Sequence, residues 1–73
     1  MPAHKHPGLL THRQNEVMAL VATGLTNKGV AYRLGLRPDT VRKHTLEIYG
    51  CLGVDCRVSA VVAWMGLKRG IER

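Results

Sequence analysis

The sequence predicts an all-α domain of four short helices, with the third held outward by the other three. Three observations predict it. Apolar residues recur at helical spacing in four separate stretches. Gly24, Gly35 and Gly53 fall just past the ends of the first three, where a left-handed residue stops a helix. Thr11 and Thr26 stand at the starts of the first two, where a side-chain oxygen satisfies a free backbone N–H.

The first helix opens at Thr11. Thr11 and Gln14 have the S/T-x-x-E/Q spacing of a capping box, and Leu10 staples from outside. Val17, Met18, Leu20 and Val21 form its buried stripe. His12, Arg13, Asn15 and Glu16 form the solvated face, with Arg13 and Glu16 close enough to pair. Thr26 starts a second, shorter helix running to Leu34, weakened by Gly29 at the third position. Gly35 then turns the chain into Leu36.

From Leu36 to Val54 the pattern is a turn, a helix of about four turns, and a glycine stop. Pro38 suits the first helical position, where its missing N–H has no partner to lose. Asp39 places negative charge where the helix dipole favours it. Val41, Thr45, Ile48 and Leu52 fall on one stripe, and Asp39, Arg42, Lys43, Leu46, Glu47 and Gly50 lie roughly opposite. Two helices, a short turn containing glycine and a helix with a basic outer face make a helix-turn-helix. The second helix of that motif enters the major groove of DNA.

The fourth helix starts at Cys56 or Arg57 and is apolar on two sides. Ala60, Trp64, Leu67 and Ile71 make one stripe; Val58, Val62 and Met65, with Val61 at the edge, make another that continues to Arg69. The first packs on the domain. The second needs a partner, and a second copy related by a two-fold axis suits a palindromic site.

The totals agree. Seventy-three residues make one small domain, which buries only about 60% of its unfolded surface and gains from dimerisation. Eleven Lys and Arg against five Asp and Glu give a net charge of +6, so polyanions are the expected partners. One Trp, two Tyr and no Phe leave few rings for unpaired bases to stack on, which favours double-stranded DNA over RNA or single strands. Residues 1–8 carry two prolines, a glycine and His4, Lys5 and His6; they read as a flexible N-terminal arm, with the DNA-binding domain over 9–73. No signal peptide or membrane span is apparent, and the protein is expected in the cytoplasm, associated with the nucleoid. His4 and His6 lack a third metal ligand, and Cys51, Cys56 and His44 match no zinc spacing; no metal or cofactor is expected. Both cysteines read as reduced, semi-buried residues. No nucleophile–base set is recognisable, and an enzyme is not expected.

The segments LTHRQNEVMALVATGLTNK, TVRKH followed by Ile48, then LGV, Arg57, Ala60 and Val61 resemble the LuxR-type (GerE-like) helix-turn-helix family, from Leu10 to about Leu67. The resemblance implies a four-helix DNA-binding domain whose third helix is the recognition helix and whose fourth dimerises. Carried over by position, it implies base contacts from Arg42, Lys43 and Leu46, and phosphate contacts from Thr26, Asn27, Lys28 and Thr40. It makes His44 structural or phosphate-facing. Arg matches guanine O6 and N7, and Leu46 offers apolar contact to a thymine methyl. The dimer interface is expected at Val58, Val61, Val62, Met65 and Arg69.

Departures from the family pattern stand at Gln14, Gly29, Arg37, Cys51 and Trp64. Arg37 opposes the dipole at a helix N-terminus, so a DNA phosphate is expected to neutralise it. Cys51 replaces a lysine and removes a phosphate contact. Gly50 costs about 1 kcal/mol relative to alanine. Because only the arm precedes the first helix, control is expected from expression level or a partner. The leading reading is a sequence-specific transcriptional regulator acting as a homodimer on a two-fold symmetric site. The alternative is an interaction module, an anti-activator that pairs with a larger LuxR-type regulator through the fourth helix.

Overall fold

The computed structural model describes residues 10–71, with side chains as far as Leu67. The expected arm and the side chains of Arg69 and Ile71 lie outside the described residues. Four helices follow in order: α1 (His12–Ala22), α2 (Asn27–Leu34), α3 (Pro38–Leu52) and α4 (Arg57–Ile71). No strand occurs among the described residues. None of the helices there is, by itself, long and apolar enough to cross a membrane.

Local chemistry sets the ends. The Thr11 hydroxyl accepts from the Gln14 backbone N–H at 3.1 Å, and Gln14 Oε1 accepts from the Thr11 N–H at 2.9 Å. Gln14 is only 4% exposed, so the neutral amide avoids the desolvation that a glutamate would suffer there. At α2 the Thr26 hydroxyl accepts from the Gly29 N–H at 3.2 Å. A Cβ on Gly29 would lie 3.2 Å from Leu25 Cδ2; the glycine that weakens the cap also makes room for that side chain.

Gly35 (φ 69°) and Gly53 (φ 72°) occupy the left-handed region, which glycine enters without steric cost. The reversed chain then bonds back: Leu36 N–H to Ala31 O at 2.8 Å and Val54 N–H to Tyr49 O at 3.0 Å. These bonds satisfy carbonyls that the helix ends leave free. Three residues separate α2 from α3, so the helix-turn-helix connection has the expected length. Arg37 precedes Pro38 with no side-chain cap; the rigid ring and Asp39 start this helix.

The core joins all four elements: Val17, Met18 and Val21 from α1, Val30 and Ala31 from α2, Val41 and Ile48 from α3, Ala60 and Trp64 from α4. The α3 helix packs against each of the other three. Thr45 is buried on its inner stripe, and its hydroxyl donates to the Arg42 carbonyl at 2.7 Å. A polar atom inside the core is thereby satisfied without a tertiary partner.

Several expectations need correction. Leu20, Leu52 and Leu67 are half-buried. Asn15 is not simply solvated: its Oδ1 accepts from Trp64 Nε1 at 2.9 Å, tying α1 to α4. The two cysteines differ, Cys51 being buried and Cys56 exposed, and both are free thiols. Cys51 is only 5% exposed, so its small side chain belongs to packing.

Gly50 is exposed, and a Cβ there would meet nothing within 4 Å. Gly50→Ala is expected to raise stability by about 0.5–1 kcal/mol through restriction of the unfolded chain. Urea unfolding followed by the fluorescence of Trp64 checks this; a lowered midpoint would contradict it.

Candidate nucleic-acid interface

The two sides of α3 separate cleanly. Val41, Thr45 and Ile48 are buried, and Asp39, Arg42, Lys43, Leu46, Glu47 and Gly50 are exposed. Leu46 leaves 56% of its surface in water, a cost that nothing inside the domain offsets. Among the described residues the glutamates are taken up by Arg13, which pairs with Glu16, and by the side-chain contacts His12–Glu16 and His44–Glu47. Arg42 and Lys43 therefore present unneutralised charge on the same face as Leu46. A helix of about 10–12 Å diameter, side chains included, fits a major groove about 12 Å wide, and this is the face that would enter.

The residues expected at phosphates divide among three places. Arg37 and Thr40 belong to the start of α3, Arg37 exposed and Thr40 half-buried. Thr26, Asn27 and Lys28 form the start of α2, which packs directly on α3. Thr26 and Lys28 are exposed; Asn27 is half-buried. The first-turn N–H groups of Asn27 and Lys28 have no acceptor within their helix, and anions favour such a terminus. His44 is half-buried at the margin of α3, its Nδ1 3.9 Å from Glu47 Oε1.

On α4, Val58, Val62 and Met65 expose 73%, 66% and 51% of their surfaces. They lie away from Ala60 and Trp64, which are buried. Val61 is half-buried and packs against the domain's own core, at the edge of the outer stripe where its spacing puts it. Trp64, the bulky departure from the family pattern, turns inward and leaves the outer stripe unaltered.

Two features escaped sequence reasoning. Tyr32 on α2 is 87% exposed. Arg57 reaches back from the first turn of α4 to the α1–α2 connection: its Nη1 donates to Asn27 Oδ1 at 3.1 Å and its Nη2 donates to the Leu25 carbonyl. A guanidinium in the first turn of a helix opposes the dipole, and that mismatch was the available sign that acceptors lay nearby. At the same junction, a hydrogen bond with the Ser59 hydroxyl lowers the Cys56 thiol from its usual range.

Residues 8–64 match the family model described as bacterial regulatory proteins, luxR family. The chain belongs to the LuxR family. It carries that family's helix-turn-helix DNA-binding domain, as the resemblance implied. It is 38% identical over 64 residues to "Probable transcriptional regulatory protein SgaR" of Hyphomicrobium methylovorum, covering 88% of this chain and 30% of that protein. It is 37% identical over 61 residues to "Probable HTH-type transcriptional regulator GfsR" of Streptomyces halstedii, covering 84% and 25%. It is 35% identical over 60 residues to "DNA-binding transcriptional activator DevR/DosR" of Mycobacterium tuberculosis, covering 82% and 28%. The LuxR-type chain thus spans less than a third of each of these relatives. No solved structure matches it.

Proposed function

We propose that this LuxR-type domain binds double-stranded DNA sequence-specifically, as a homodimer on a two-fold symmetric site, and regulates transcription from it. The observation that carries the reading is the exposed face of α3: Arg42, Lys43 and Leu46 stand free on the side opposite the buried Val41, Thr45 and Ile48. Arg42 suits guanine O6 and N7, Lys43 a guanine or a phosphate, and Leu46 a thymine methyl. Thr26, Asn27, Lys28, Arg37, Thr40 and His44 supply contacts to the backbone, which set register and salt dependence. The net charge of +6 draws the domain to the duplex.

The apolar stripe of Val58, Val62 and Met65 supports pairing through α4. Two copies joined there give the symmetry that a palindromic site requires. The same stripe supports the second reading, capture of a larger LuxR-type regulator. The two differ in one respect: only the first requires that the domain alone bind DNA as a pair.

Selection of bound duplexes from random DNA supplies the probe. On the selected duplex, Arg42→Ala/Lys43→Ala is expected to abolish the specific gel shift, each lost base contact being worth about 1–3 kcal/mol. Unchanged binding would rule out α3 as the reader. Val62→Glu is expected to leave helix content unaltered, since that side chain already faces water, and to yield a monomer in sedimentation with weakened binding to the symmetric duplex. A dimer that survives this charge would place the contact elsewhere.

A further inference from the structure

Arg57 belongs to neither the reading face nor the apolar stripe, yet its two hydrogen bonds bridge 30 and 32 positions of sequence to the start of α2. The guanidinium has only donors, so the amide edge that Asn27 turns toward it must be its oxygen. That leaves Asn27 Nδ2, with its two N–H groups, directed away from Arg57. Asn27 is the first residue of α2, beside Lys28 and the unsatisfied first-turn N–H groups. The Leu25 carbonyl, held by the other arm of the same planar fork, fixes the turn from which α2 starts.

We propose that Arg57 is a positioning residue for DNA binding: by holding Asn27 Oδ1 and the Leu25 carbonyl, it orients the Asn27 amide so that its N–H groups face a backbone phosphate. This rests on the reading that the start of α2 lies against the duplex. The adjacent residue, Val58, opens the outer stripe of α4, so one turn of helix carries both the pairing surface and the strut to the phosphate contact.

Lysine keeps the charge of Arg57 but has a point-like ammonium that does not span both acceptors. On a mixed-sequence duplex, Arg57→Lys is expected to weaken binding about 3- to 10-fold, the value of one hydrogen bond. The slope of affinity against salt is expected to stay unchanged, because no cation is lost. Asn27→Ala is expected to weaken binding equally, and the double variant no further. Asn27→Asp keeps an acceptor for Arg57 and so retains the unfolding midpoint, but it removes the donors and is expected to bind more weakly than Asn27→Ala.

Wild-type binding by Arg57→Lys, additive losses in the double variant, or binding by Asn27→Asp as tight as that of Asn27→Ala would each overturn the proposal. If Asn27→Ala and Lys28→Ala both bind normally, the start of α2 does not touch DNA and the proposal falls. Arg42→Ala/Lys43→Ala then tells whether the recognition helix still stands.

Discussion

A single helix has to satisfy two solvents at once. Along the 15 residues of α3, every third or fourth side chain enters a core shared with α1, α2 and α4, and the intervening ones remain in water. Burial of Val41 and Ile48, each worth about 1.5–3 kcal/mol, fixes the rotation of the helix about its axis. That rotation decides where Arg42, Lys43 and Leu46 point. A turn of 100° in this packing would carry Arg42 into the core in place of Val41, where an unpaired charge is prohibitively costly. The hydrophobic stripe is therefore what aims the polar face. Thr45 follows the same logic: its hydroxyl is satisfied by the Arg42 carbonyl one turn earlier, so the stripe stays continuous without a buried unpaired group.

Aim also requires that the helix start and stop in the right places. Gly35 and Gly53 take left-handed conformations at the two ends of the α3 segment, and the backbone bonds that follow them set the direction of entry and exit. Pro38 begins the helix without needing an N–H partner. The start of α2 is held on one side by Thr26 and on the other by Arg57, so α4 is tied to α2 by hydrogen bonds. In a domain of this size such local ties matter, because the core alone leaves little margin.

What the chain reveals before folding follows the range of the interaction. The Thr11–Gln14 box, the Thr26 cap and the glycine stops are made within a few residues of one another, and sequence spacing read them directly. The split of α3 into buried and exposed sides was equally legible, since Val41, Thr45 and Ile48 lie in the middle of one stripe. Residues at the margins of stripes were not. Cys51, read as semi-buried, is 5% exposed, because the packing of whole helices decides which neighbours an edge residue meets. The Trp64–Asn15 and Arg57–Asn27 bonds span 49 and 30 positions, and no local pattern names the partner in such pairs. Asn15 accordingly looked like a surface residue, and Arg57 had no role. The proposed pattern of base and phosphate contacts rests on the aim of α3 and on the charge it carries.

The most direct test of that aim is amide chemical-shift mapping of the intact, isotope-labelled chain titrated with its selected duplex. The account predicts that the largest perturbations cluster at Thr26 to Lys28 and from Asp39 to Leu46, with the buried face of α3 following weakly. Perturbations confined to α1 or to the outer stripe of α4, with the amides of Arg42 and Lys43 unmoved, would contradict it.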